Sequence, residues 1–153
     1  GFLGRHFKWM LKQSLRKTPL IGRACHDAGY IFVDKSGPKA IKNTIDRARK
    51  ILQGGTSLVV FPEGSRSWDG HMIPFKKGAF QLADQLQMPV VPITLTGSFD
   101  VYPRYHKGFV RFHPLTLTIH KPILPKGEGP ENIKAVMDEA YDVIKTNLES
   151  GKA

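Results

Sequence analysis

The densest chemistry in this sequence lies in one short stretch, Phe61-Pro62-Glu63-Gly64-Ser65-Arg66-Ser67. Glu63 supplies a carboxylate, Ser65 and Ser67 supply hydroxyls, and Arg66 supplies a guanidinium. A guanidinium is a planar fork of N–H donors that matches a phosphate bidentately. Gly64 lets the backbone approach a ligand closely. The stretch follows directly on the apolar run Ser57–Phe61. Open α/β sheets place their ligand groups beyond the carboxyl ends of such strands. The residues alone leave a second possibility open, a polar turn closed by a local Glu63–Arg66 pair.

Acid–base chemistry has fewer candidates. His71 lies in the same loop, two positions from Asp69, and is the candidate base; a solvent-facing loop histidine is the competing assignment. His6 and His106 are flanked by basic residues, and His113 and His120 lie in or beside late strands without an acidic neighbour. No pair of His, Cys, Asp or Glu has metal-ligand spacing, so no metal is expected. Neither a P-loop nor a dinucleotide-binding glycine pattern occurs. Cys25 is the sole cysteine, which excludes an internal disulfide.

These groups must be positioned by the surrounding elements. Phe7, Trp9 and Leu11 alternate with Lys8 and Met10, the period of a strand; a helix over Leu3, Phe7, Met10 and Leu11 fits the same residues. Gln13 to Ala28 reads as a helical stretch broken by Pro19 and Gly22. Tyr30-Ile31-Phe32-Val33, bounded by Gly29 and by Asp34-Lys35-Ser36-Gly37, reads as a buried strand. Pro38 suits the first turn of a helix with Ile41, Ile45, Ala48 and Leu52 on one face, stopped at Gly54-Gly55. Strand Ser57–Phe61, a polar loop to Lys77, helix Gly78–Gln87 and strand Val90–Leu95 follow, with Pro92 a local irregularity. Val110–Phe112 and Leu115–Ile119 read as a late hairpin or paired strands. The final helix carries Ile133, Val136, Met137, Ala140, Ile144 and Leu148 on one stripe. This alternation predicts a single α/β domain over residues 1–153, with a mostly parallel central sheet and helices on its faces.

The net charge of +10 over 153 residues favours anionic partners. Arg5, Lys8, Lys12, Arg16, Lys17 and Arg23 all precede the first acidic residue, Asp27. Phe2, Phe7, Trp9, Met10 and Leu11 are interleaved with these cations, a mixture suited to an anionic membrane interface. No apolar run approaches the ~20 residues needed to span a bilayer.

Phe61 to Ser67 resembles the F-P-E-G-[ST]-R-S signature of the glycerolipid acyltransferases, the family that includes the 1-acyl-sn-glycerol-3-phosphate acyltransferases. Other blocks agree in order and spacing: Gly29–Lys35, Pro74-Phe75-Lys76-Lys77-Gly78-Ala79-Phe80, and Val91-Pro92-Ile93-Thr94-Leu95-Thr96-Gly97-Ser98. The likeness spans roughly Phe7 to Ser98.

The resemblance implies acyl transfer from an acyl thioester, acyl-CoA or acyl carrier protein, to the free hydroxyl of lysophosphatidic acid, giving phosphatidic acid without a cofactor. It assigns substrate binding to Lys35, Glu63, Gly64, Ser65, Arg66 and Ser67, with Arg66 foremost on the glycerol-phosphate head. Lys35 stands where the family has arginine, which keeps the charge and loses the fork. Pro92, Gly97 and Ser98 would shape the floor of the pocket. The family's base is a histidine with an aspartate five positions on. No histidine of this sequence has that partner, so no catalytic residue is assigned and an incomplete amino terminus is expected. The implied partners are a lysophospholipid acceptor, the acyl donor and an anionic membrane surface on the cytoplasmic face, with no nucleic acid. The alternative is a noncatalytic lipid- or phosphate-binding module.

Overall fold

Phe7 to Lys12 forms strand β1, so the period-two alternation prevails over the helical alternative. Residues 6–34, 36–105 and 108–150 are described by the computed structural model. They fall into two compact units, one ending at Phe61 and the other beginning at Pro62.

In the first unit β1 takes a neighbour on each side. Strand β2 (Ile31–Val33) pairs with it in parallel, Met10 opposite Ile31. Strand β3 (Ser57–Val59) pairs in parallel on the other edge, Phe7 opposite Ser57. The order is β2-β1-β3, so the first strand in the sequence is the central one. Parallel neighbours require crossover connections. A 3₁₀ turn (Gln13–Lys17) and helix α1 (Ile21–Asp27) connect β1 to β2, and helix α2 (Pro38–Gln53) connects β2 to β3. Gly22 is required here, because a Cβ at that position would lie 2.2 Å from the Arg16 carbonyl oxygen. The Phe7 and Trp9 rings meet edge to face at 5.7 Å, and Trp9 stacks on Phe61 at 5.5 Å.

Helix α2 departs from its expected stripe. Thr44 and Ala48 are buried and Ile45 and Leu52 half-buried, but Ile41 is 46% exposed. Thr44 takes the inward place and satisfies its hydroxyl by donating to the Ala40 carbonyl at 3.0 Å.

The second unit contains helix α3 (Gly78–Leu86), strand β4 (Ile93–Thr96), the short helix α4 (Ser98–Val101), strand β5 (Thr116–Ile119) and helix α5 (Pro130–Ser150). β4 and β5 are antiparallel, Ile93 opposite Ile119. Pro92 has no N–H to give to the ladder. Its carbonyl still accepts from His120 at 3.0 Å, and the pairing resumes as an antiparallel bridge between Val90 and Ile123. Val110 to Phe112 lies in no strand, which corrects the expected late hairpin: β5 finds its partner in β4 instead. The core joins Phe80, Ile123, Val136 and Ala140, flanked by Phe75, Ile133 and Met137. Burying each large side chain contributes about 1.5–3 kcal/mol.

Candidate functional site

The loop that follows Phe61 is shaped by its own polar side chains. Glu63 Oε2 accepts the Ile73 backbone N–H at 2.9 Å, which ties the front of the loop to its return. Ser67 Oγ accepts the Gly70 N–H at 3.1 Å, and Asp69 Oδ1 accepts the His71 backbone N–H at 3.0 Å. The Lys76 N–H closes the loop onto the Pro62 carbonyl at 2.9 Å. Glu63 and Ser67 therefore hold the loop's shape. The local Glu63–Arg66 pair is not what closes it.

Gly64 has φ +71°, a conformation that disfavours residues with a Cβ. A Cβ there would also come within 3.0 Å of Lys76 Nζ. The missing side chain thus brings an ammonium against the loop. Gly70 has φ +81° and leaves room for the Phe99 ring, 3.0 Å from where its Cβ would stand.

Arg66 is exposed and aimed by a segment 36 residues further on. Its Nη1 donates to the Tyr102 carbonyl at 3.2 Å, and its guanidinium lies 4.7 Å from the centre of the Tyr102 ring. An aromatic face against a guanidinium is attractive and leaves the edge of the fork as the hydrogen-bonding direction. Arg104 secures the same strand of backbone. Its Nη1 donates to the Arg66 carbonyl at 2.8 Å while its guanidinium stacks 4.3 Å from the Trp68 ring centre. Tyr102 and Arg104 complete the environment of Arg66, and no local sequence pattern singles them out.

The remaining expected residues divide. Glu63, Gly64, Ser65, Arg66 and Ser67 share one loop, with Ser65 exposed. Lys35 lies outside the described residues, as does His106. Pro92 is buried beside β4, whereas Ser98 is exposed at the start of α4. Gly97 has φ +86°, and a Cβ there would stand 2.2 Å from the Pro114 carbonyl oxygen. That approach brings His113 Nε2 to 3.9 Å from Asp100 Oδ2, so His113 does have an acidic neighbour, contrary to expectation. Its Nδ1 donates to the Pro114 carbonyl at 2.9 Å. His120 Nε2 lies 2.8 Å from the buried Thr94 hydroxyl. Asp34, next to Lys35 in sequence, has its carboxyl held below the ordinary carboxylate range by the Ser36 hydroxyl and then by the Ser36 N–H. Among the described residues no group of His, Cys, Asp and Glu is placed to hold a metal, and no helix is long and apolar enough to cross a membrane.

The acyltransferase family model matches residues 2–96 of this chain. The chain belongs to the acyltransferase family. It is 36% identical over 121 residues to a chloroplastic 1-acyl-sn-glycerol-3-phosphate acyltransferase of Brassica napus, covering 79% of this chain and 35% of the relative. It is 40% identical over 137 residues to the 1-acyl-sn-glycerol-3-phosphate acyltransferase of Limnanthes alba, covering 88% and 48%. The alpha form of Mus musculus matches at 36% over 136 residues, again 88% and 48%. The crystal structure of the 1-acyl-sn-glycerophosphate acyltransferase PlsC from Thermotoga maritima superimposes with a TM-score of 0.73 at 29% identity, covering 96% of this chain and 57% of that one. The chain thus spans from about a third to about half the length of these curated relatives.

Proposed function

We propose that this chain forms the acceptor-binding and core portion of an enzyme that acylates lysophosphatidic acid to phosphatidic acid. The observation that carries the proposal is Arg66, a fork stacked on Tyr102 and anchored through its own carbonyl by Arg104. A lysophosphatidate head presents the phosphate that such a fork fits. The names of the relatives support the same acceptor.

In the reaction the acceptor hydroxyl oxygen attacks the thioester carbonyl carbon. The carbon–sulfur bond breaks, the thiol of coenzyme A or acyl carrier protein leaves, and the hydroxyl proton passes to a base. Arg66 and its loop would hold the phosphate while Lys76, beside Gly64, adds positive charge. No histidine of this sequence has an aspartate five positions on. The acyl donor, acyl-CoA or acyl carrier protein, and a site of action on the cytoplasmic face of a membrane belong to the same proposal.

Calorimetry with lysophosphatidate tests it. Arg66→Ala should weaken binding by about 1.5–3 kcal/mol, roughly tenfold to 150-fold. Unchanged affinity in a folded Arg66→Ala variant removes Arg66 from the site. A radiolabelled transfer assay should find almost no turnover by residues 1–153 alone, since general-base help is worth ~10²–10⁴ in rate. Robust turnover abolished by His71→Ala would make His71 the base.

A further inference from the structure

Arg66 is exposed, and an exposed arginine samples many rotamers. Ordering such a side chain on a ligand costs affinity unless the protein has ordered it beforehand. Here the ordering comes from a distant piece of chain, Phe99 to Arg104. The Phe99 ring packs on the returning half of the signature loop, 3.0 Å from where a Cβ at Gly70 would stand. The Tyr102 carbonyl accepts from Arg66 Nη1, and the Tyr102 ring faces the same guanidinium. Arg104 returns a bond in the opposite direction, from its Nη1 to the Arg66 carbonyl at 2.8 Å. Arg104 is itself half-buried, with its guanidinium 4.3 Å from the centre of the Trp68 ring, two residues beyond Arg66. The Arg111 N–H secures the same segment from behind by donating to the Val101 carbonyl at 2.8 Å.

The two arginines therefore do different work. In Arg66, Nη1 is committed to the Tyr102 carbonyl and one face of the fork to the Tyr102 ring. The opposite edge, Nε and Nη2, takes no protein acceptor among the described residues. That edge carries two parallel donors, the arrangement that meets two phosphate oxygens at once. In Arg104 the fork is occupied by the Trp68 ring and by the Arg66 backbone. What Arg104 holds is the main chain from which the Arg66 side chain projects.

We propose that Arg104 is a positioning residue for the acceptor phosphate: held on Trp68, it fixes the Arg66 backbone so that the Nε–Nη2 edge of Arg66 takes the phosphate oxygens. Arg104 does not itself touch the phosphate. The inference rests on the reading of Arg66 as the phosphate-binding residue, and it adds a residue 38 positions away that sets the direction of the fork.

A double-mutant cycle tests it, with lysophosphatidate binding measured by calorimetry on the parent chain, Arg66→Ala, Arg104→Gln and the double variant. Arg104→Gln should weaken binding about fivefold to tenfold, the scale of one hydrogen bond and one exposed cation–π contact. In the Arg66→Ala background the same change should shift affinity by less than about twofold, because no fork remains to be aimed. A residue that only stabilised the loop would weaken binding equally in both backgrounds. Trp68→Leu removes the ring from Arg104 and leaves its hydrogen bond, so it should act in the same direction, and Trp68→Phe should restore most of the parent affinity. Each variant is compared with the parent by circular dichroism, and the Trp68 pair decides if Arg104→Gln does not fold. Parent affinity in Arg104→Gln, beside a weakened Arg66→Ala, overturns the positioning role and leaves the reading of Arg66 intact. Equal losses in both backgrounds overturn it as well, and would put Arg104 on the phosphate or in the general stability of the loop. Parent affinity in Arg66→Ala, or a parent chain that binds no lysophosphatidate, removes the phosphate site and the positioning role with it.

Discussion

Asp84 on α3 and Asn132 on α5 form a polar clasp beside the apolar core, and its strength can be worked out contact by contact. Asp84 Oδ1 accepts from Asn132 Nδ2 at 2.7 Å and from the Gly129 N–H at 3.0 Å, with Oδ2 sharing the latter at 3.1 Å. Asn132 Oδ1 in turn accepts the Lys126 N–H at 2.7 Å. Asn132 is only 6% exposed, so water does not easily replace what is removed. A hydrogen bond to a charged group contributes about 1.5–3 kcal/mol and a neutral one about 1 kcal/mol. Asp84→Ala removes two donors' acceptor and should cost ~3 kcal/mol. Asn132→Ala removes the link to Asp84 and strands the Lys126 N–H, for roughly 2.5–4 kcal/mol. The Asp84–Asn132 bond is lost in either single variant. The double variant should therefore cost less than the sum by about 1.5–3 kcal/mol. Native-state hydrogen exchange of the Val136 and Ala140 amides measures each value where α5 is anchored. Additivity within about 0.5 kcal/mol would refute the clasp as a coupled unit.

Gly97→Ala places a Cβ 2.2 Å from the Pro114 oxygen at φ +86°, whereas Gly55→Ala meets open space at φ +78°. Urea unfolding should show about 1–2 kcal/mol for Gly55→Ala, from backbone strain alone, and distinctly more for Gly97→Ala. Asp34 has a folded pKa below its unfolded value, so its stabilisation is present above the ordinary carboxylate range and is lost as pH falls through the folded value. Ser36→Ala should raise the Asp34 titration toward the ordinary value in an NMR pH series; an unmoved midpoint would reject the Ser36 cause. Phe80→Ala, at a core position 4% exposed, should destabilise by about 3–5 kcal/mol in the same urea experiment.

Much of the framework is legible in local pattern because local pattern is what made it. Ile31–Val33 and Ser57–Val59 are short apolar runs closed by glycine, proline or polar residues, and α5 keeps its apolar stripe over its whole length. Pairing is not local. Nothing in Phe7–Lys12 announces that it lies between β2 and β3. Val110-Arg111-Phe112 has the composition of a strand but pairs with no strand among the described residues, and β4 pairs with β5 instead. α4 has only four residues, too few to display a helical period. The site divides in the same way. Its contiguous residues, Glu63 to Ser67, were conspicuous as a cluster of functional groups. Tyr102 and Arg104 reach Arg66 only because the chain returns after 36 and 38 residues, which no window of sequence reveals.

The central position of β1 has a kinetic consequence. β2 and β3 share no ladder with each other, since each bonds only to β1. Until Phe7 meets Ser57, two short apolar strands wait with unsatisfied backbone edges, and the loop to be closed runs through α2. Closing such a long loop precedes most of the contacts that reward it, which slows folding of parallel sheets. During that interval the open edges of Ile31–Val33 and Ser57–Val59 can template pairing with another chain. A fault in Phe7–Lys12 would dissolve both ladders at once, so its signature would be aggregation during refolding rather than a small loss of equilibrium stability.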